Sequence, residues 1–436
     1  MSAKAALLSS LKAGQLSEVT ALLRYGFLSK DQTQYKTLDS VPPRSSSDYN
    51  RAMCYYFLNF TSRSFARVIQ ELDAELRHPV CIFYLVLRGL DTVEDDMTLP
   101  LDRKVEVLRS FWQILEKRGW TFTENGPQEK DRVLLVDFDV VIEEFLGLKE
   151  KYREVIADIT KRMGAGMADF VSGKKVVTLD DYNLYTHYVA GLVGLGLTGL
   201  FVASGLENPK LENQDKIANE MGLFLQKVNI LKDFLTDVKE GRLFWPQAVW
   251  ELYVPKGAGV EALAKPENLD RALACLNHLC ADALDLVPSC LDYMSLLKNQ
   301  SVFQFAAIPQ LMAIATIHHF FNNPLLFQQS GNKIRRGLAV KLIEQSTDIE
   351  SVKRIYYNYA LSINDKNGRR VGTNPYDESF LRVSLACSKI VKWIHVHDKE
   401  HGKVRAAGGA NGTFWVAVLM AIIAILLTFS MLPVAH

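Results

Sequence analysis

Proline is scarce in this sequence. Only 14 of 436 residues are proline, about 3% against a usual ~5%, which favours long uninterrupted helices. Cysteine is scarcer. The six present (Cys54, Cys81, Cys275, Cys280, Cys290 and Cys387) are spread through apolar stretches, with no CxxC pair and no adjoining zinc-like His cluster. That spacing excludes a zinc ribbon and reads as reduced core thiols. An excess of one charge is also missing: 50 Lys+Arg against 49 Asp+Glu leave a net charge of +1, so nucleic acid is not an expected partner. The opening MSAKAALLSSLKAGQ lacks the apolar run of a secretory leader. No GxGxxG follows a strand pattern, so any dinucleotide site is not of the Rossmann type. No repeat of about 20–50 residues is visible, which excludes a solenoid.

What is present is helical periodicity. Asn50–Leu76, Pro79–Asp95, Lys151–Phe170, Lys216–Val238, Leu269–Leu297 and Phe303–Phe321 carry apolar residues at three- and four-residue spacing. Pro42–Ser47, Glu124–Lys130, Pro255–Gly259 and Asn364–Asp377 read as loops. The expected architecture is all-α: an N-terminal segment 1–48, one catalytic domain over 49–365, an extension and linker over 366–412, and a membrane anchor over 413–434. The anchor rests on Phe414–Leu432, a run without charge whose residues would span roughly 28 Å as a helix. Lys403 and Arg405 precede it, which predicts a cytosolic catalytic domain. A second uncharged run, Tyr188–Leu206, contains Gly191, Gly194, Gly196, Gly199 and Gly205. These lower its hydrophobicity and helix propensity, and predict an internal helix that makes room for an apolar ligand or a close neighbour.

Two acidic clusters carry the chemistry. In RGLDTVEDD (88–96), Asp91 and Asp95 are four apart and share a helix face, with Glu94 beside them. In QKVNILKDFLTD (226–237), Asp233 and Asp237 repeat that spacing, and Gln226 and Asn229 continue the face. Like charges at this spacing destabilise a helix unless a cation lies between them, and oxygen-only ligands suit Mg²⁺. One such pair is also compatible with a solvated acidic face. Two in one helical chain predict carboxylate walls that clamp a diphosphate through shared Mg²⁺. His318 and His319 are adjacent, so on a helix they point apart and do not form a metal pair.

The segments Thr61–Phe65, YLVLRGLDTVEDD (84–96), YTHYVAGLVG (185–194), Met221–Asp237, GRLFWP (241–246) and QSVFQFAAIP (300–309) occur in this order. In them the chain resembles the head-to-head trans-isoprenoid synthase family, from about Asn50 to about Lys341. The resemblance implies an isoprenoid-synthase fold with a central cavity. It also implies a two-step reaction: two farnesyl diphosphates condense to presqualene diphosphate, which then rearranges with hydride from NADPH to squalene. Asp91, Glu94, Asp95, Asp233 and Asp237 match metal-binding positions, Arg63 and Arg88 match diphosphate contacts, and Tyr185 matches a tyrosine implicated in proton handling. Phe65, Tyr84, Val189, Val193, Leu197, Phe305 and Pro309 match prenyl-channel positions, with Gln226, Asn229 and Lys232 along the second wall. Lys333 and Arg335 match a basic stretch associated with NADPH; a solvated basic turn is the other reading. The resemblance further implies a monomer tail-anchored in the endoplasmic reticulum membrane. Lys232 stands where the family commonly has Arg, and Thr236 where it commonly has Glu. A synthase of the phytoene or dehydrosqualene type, without reduction, and a non-catalytic membrane-tethered binding protein are the competing functions.

Overall fold

The computed structural model describes Glu18, Ala21 and residues 33–62 and 65–402. Arg63 and the expected anchor over 413–434 lie outside the described residues. Among the described residues there is no strand, and the expected all-α class holds.

The first half of the chain forms α1 (Tyr49–Thr61), α2 (Phe65–Gln70), α3 (Ala74–Asp95), α4 (Leu101–Ile114), α5 (Arg132–Val136), α6 (Phe138–Leu146) and α7 (Glu150–Val171). Their apolar faces enclose one core, in which Phe57, Leu85, Phe111, Phe138, Phe145 and Tyr152 are buried. Each such side chain contributes about 1.5–3 kcal/mol by leaving water. The second half forms α10 (Asp215–Lys239), α11 (Gln247–Trp250), α12 (Leu269–Leu284), α13 (Val287–Leu296), α14 (Gln300–Phe320), α15 (Arg336–Gln345), α16 (Ile349–Arg369) and α17 (Phe380–Glu400). Phe224, Leu276, Cys280, Ile314, Tyr356 and Ile390 lie in this second core. All six cysteines are buried and free.

Between the cores runs the glycine-rich segment, as α8 (Leu179–Thr186), one π turn (His187–Gly191) and α9 (Leu192–Ser204). A reciprocal cap starts it: Asp181 N–H donates to Thr178 Oγ1 at 3.0 Å, and Thr178 N–H donates to the Asp181 carboxylate at 2.9 Å. The glycines admit close neighbours. A Cβ on Gly194 would lie 2.2 Å from the Ala218 carbonyl of α10, and one on Gly196 would lie 2.4 Å from the Phe83 ring of α3. This stretch and α14 are both long and apolar enough to cross a membrane, yet α14 is mostly buried and α9 packs against α3, α7 and α10.

Three expectations need correction. Asn50–Leu76 is not one helix. Thr61 and Ser62 engage nearby backbone, with Thr61 Oγ1 donating to Phe57 O and Phe65 N–H donating to Ser62 Oγ, and Asp73 caps a new helix by accepting from Glu75 N–H at 3.0 Å. Leu269–Leu297 breaks at Asp285–Leu286, because Pro288 fits the first turn of α13, where its missing N–H is not needed. Asn364–Asp377 is helical as far as Arg369. Its turn-forming residues are overridden by a tertiary partner: buried Asn367 donates to Phe380 O and Ser384 Oγ, both at 2.9 Å. The expected boundary at 365 therefore falls within α16, and the segment after it adds Ala386, Cys387, Ile390 and Ile394 of α17 to the second core.

Candidate active site

Because α3 buries its apolar stripe in the first core, the acidic residues of its last turns emerge at the boundary with the second. There a cavity of about 1070 Å³ opens. Asp91, Glu94 and Asp95 line one side, and Gln226, Asn229, Asp233 and Asp237 of α10 line the other. The fourth acid of the first cluster has a different task. Asp96 is buried and accepts from Thr98 N–H (2.8 Å), Thr98 Oγ1 (2.6 Å), Asn125 Nδ2 (2.9 Å) and Gly126 N–H (2.9 Å). Burial pushes its carboxyl up, but these bonds prevail and hold it at about 2. It fixes the loop behind the wall.

The end of α10 brings a cation to the cleft. Gly241 adopts φ +71°, Gly241 N–H donates to Val238 O at 3.2 Å, and Arg242 N–H donates to Asp237 O at 2.8 Å. This reversal after the C-cap is a Schellman turn, for which glycine avoids the left-handed penalty. It folds Arg242 back between the walls. Nη1 reaches Asp95 Oδ1 at 3.1 Å, and Nη2 reaches Asp237 Oδ1 at 3.2 Å and Glu240 Oε2 at 2.8 Å. One guanidinium thus bridges the two acidic clusters.

Electrostatics mark the same place. Burial, reinforced by Asp95 and Asp131 and opposed by Arg88, pushes Asp91 up to about 6. Burial with Asp91 and Asp95 alongside pushes Glu94 up to about 8. Burial, opposed by Arg242 and reinforced by Asp233 and Glu240, pushes Asp237 up to about 6. Burial dominates these shifts, and the nearby cations do not offset it. An all-oxygen donor set on two facing walls, already spanned by a cationic side chain, fits a hard divalent ion such as Mg²⁺.

Tyr185 is buried in the cavity wall, with its ring stacked on Phe244 (centroids 4.9 Å apart) and edge-on to Phe170 (5.0 Å). Burial, then Glu94 and Asp95, push its hydroxyl well above the ordinary range, so it stays protonated. Val189 lines the cavity and packs against both cores. Tyr84, Val193 and Leu197 pack against the first core without lining this cavity, and Phe305 is buried in that core. Pro309 lies inside α14, and Phe65 is 41% exposed.

Arg88 lies beside the cavity, in a smaller one of about 270 Å³ shared with Asp95, Lys130, Asp131 and Arg242. Its guanidinium stands 3.8 Å from Asp91, 3.9 Å from Asp131 and 3.3 Å from the Tyr84 hydroxyl. Lys232 lies along the second wall, donating to Asn229 Oδ1 at 3.0 Å and pairing with Asp233 at 3.2 Å. Lys333 and Arg335 are exposed and outside the cavity lining; Arg335 is held bidentately by Glu18, at 3.0 and 2.6 Å.

Sequence reasoning assigned no role to Arg242, Phe244, Lys104, Lys174 or Lys175, all of which line the cavity. Lys104 is buried and donates to Glu94 O at 2.7 Å, next to the first wall. The signal available for Arg242 was Glu-Gly-Arg directly after a periodic helix, which marks a chain reversal over the last turn.

Comparison with known proteins places the chain in a family. The squalene/phytoene synthase family model matches residues 58–337. The squalene synthase of Schizosaccharomyces pombe is 47% identical over 384 residues, covering 87% of this chain and 80% of its own. That of Homo sapiens is 52% identical over 306 residues, covering 70% and 72%. The solved structure of TcSQS with a bound ligand superposes with a TM-score of 0.76 at 40% identity, covering 80% of this chain and 100% of that one. The chain belongs to the squalene/phytoene synthase family, where it is similar to the squalene synthases, and it is a transferase.

Proposed function

We propose that this protein joins two farnesyl diphosphates head to head into presqualene diphosphate, and reduces that intermediate with NADPH to squalene. The observation that carries the reading is the pair of carboxylate walls facing one cavity of about 1070 Å³, in a chain whose relatives are squalene synthases.

Asp91, Glu94, Asp95, Asp233 and Asp237 would hold Mg²⁺ at the cleft. Bound there, the metal would neutralise charge building on the leaving diphosphate. Arg88 and Arg63 are assigned to the same diphosphate, where charge-assisted hydrogen bonds are strongest in the transition state. Tyr185 holds a proton on its phenol between two aromatic rings, which suits it to proton handling in the first half-reaction. Val189, with Tyr84, Val193, Leu197, Phe305, Pro309 and Phe65, is assigned to the prenyl chains, where an apolar lining excludes the water that would capture a carbocation. Lys333 and Arg335 are assigned to the NADPH phosphates; in this conformation Arg335 is bound to Glu18. Phe414–Leu432 is assigned to a tail anchor in the endoplasmic reticulum membrane, with the catalytic domain in the cytosol.

The test is product analysis of the full-length protein in detergent with farnesyl diphosphate, Mg²⁺ and NADPH. Squalene is the expected product, with arrest at presqualene diphosphate when NADPH is omitted. An unreduced hydrocarbon with a central conjugated triene, formed with NADPH present, would move the assignment to the phytoene type.

A further inference from the structure

The bridge made by Arg242 differs from an ordinary structural ion pair. Its three close contacts are all to carboxylates, on Asp95, Asp237 and Glu240. Its Nε is buried and has no hydrogen-bond partner among the described residues. Arg370, by contrast, uses Nε and both Nη atoms on Asn367, Asp377 and Ser379. Arg242 is thus held by charge more than by a completed hydrogen-bond set. It also sits just past a helix end, on a Schellman turn closed by its own N–H to Asp237 O at 2.8 Å.

We propose that Arg242 is the resident counter-ion of the divalent-cation site: it links the two acidic walls in the metal-free protein and leaves when a cation enters. The inference rests on reading the cleft as a cation site. A guanidinium and a divalent ion cannot both lie between Asp95 and Asp237 at contact distance, and the ion carries the larger charge. Displacement leaves the arginine at the cleft mouth, tethered beside Phe244, whose ring its Cζ already approaches to 5.9 Å. The metal-free enzyme thereby avoids facing, uncompensated carboxylates, at the cost of weaker metal binding before substrate arrives.

The test uses the full chain in detergent micelles and Mn²⁺ as the probe. Free Mn²⁺ is followed by its paramagnetic resonance signal, without substrate. Arg242→Gln should bind Mn²⁺ roughly tenfold more tightly than the unaltered protein, because a competing like charge is gone. Arg242→Lys should fall between the two. The metal-free melting temperature of Arg242→Gln should drop, and saturating Mn²⁺ should raise it by more than in the unaltered protein. Equal or weaker Mn²⁺ affinity in Arg242→Gln would overturn the proposal, as would absence of binding in both proteins. Asp91→Asn and Asp233→Asn separate the two layers of inference, since neither carboxylate touches Arg242. If both leave Mn²⁺ binding intact, the cation-site reading itself fails. If they abolish binding while Arg242→Gln changes nothing, only the counter-ion role fails.

Discussion

Two regions of this molecule combine carboxylates with an arginine and arrive at opposite electrostatics. In the cleft, Arg242 spans Asp95 and Asp237, with Asp91 and Glu94 alongside, and three of these carboxylates are pushed above their ordinary range. Behind α12, the side chains of Arg370 and Asp377 are 4% and 2% exposed. There Asp377 accepts from Arg370, from Asn277 Nδ2 at 2.8 Å, and from Ser379 N–H and Oγ at 2.9 and 2.7 Å. Burial pushes Asp377 up, but those hydrogen bonds outweigh it and hold the carboxyl below its usual value. Burial alone does not decide the sign; the supply of donors does. Where donors saturate the acid, the charge is structural. Where acids outnumber them, the carboxylates are left high in pKa, the electrostatic setting on which the proposed cation site rests.

The largest expected effect is on turnover. Asp91→Asn and Asp233→Asn should each lower it by orders of magnitude, on the order of 10²-fold or more, with circular dichroism unaltered. For Asp91→Asn the metal-free melting temperature should be no lower than that of the unaltered protein, because an acid whose ionisation costs stability is gone. Near-normal turnover at saturating Mg²⁺ in either would reduce the comparison to two structural clusters. Next, Asp377→Asn should remove about 3–5 kcal/mol of stability by leaving Arg370 buried without its counter-charge. The specific activity of the fraction still folded should be unchanged, so reduced turnover per folded molecule would contradict the contrast.

A melting series in pH sharpens it further. Asp377 has a lowered folded value, so its contribution is present above the ordinary aspartate value of about 4 and is lost as pH falls below that. The cleft acids have raised folded values, about 6 for Asp91 and Asp237 and about 8 for Glu94. For them, ionisation costs stability, so the metal-free protein should weaken as pH rises from about 4 towards 8. Mg²⁺ should flatten the alkaline limb only. A Mg²⁺ effect confined to the acid limb would refute the assignment of cation affinity to the cleft.

The smallest effect is expected at Lys232. Its ammonium is satisfied by Asn229 and Asp233 within α10. Lys232→Arg should therefore stay within about twofold of the original turnover, and Lys232→Ala within roughly fivefold, through a less constrained Asp233. A large loss in the alanine variant that arginine restores would instead put residue 232 on the diphosphate.

The helices and both acidic walls were legible because they are local patterns: apolar spacing of three and four, and acids four apart. The glycine-rich run was legible for the same reason, although nothing in the sequence chose between a ligand and a neighbouring helix. What escaped was non-local. Arg242 meets Asp95 across 147 residues, and no periodicity records such a contact. Asn364–Arg369 escaped because Asn, Asp and Gly favour turns in isolation, whereas Asn367 gains partners on α17 that offset that preference. Lys232 was legible as wall-adjacent, but its local partners were visible only in the fold.

The glycines of α9 have a consequence for precision. The helix meets the backbone of α10 at Gly194 and the Phe83 ring of α3 at Gly196, so one acid-bearing helix is gauged backbone to backbone and the other through a single ring. On the α10 side there is no rotamer to sample, whereas on the α3 side the spacing depends on the volume and rotamer of Phe83. The first acidic wall is therefore sensitive to substitution of Phe83, while the second is set by backbone contact alone.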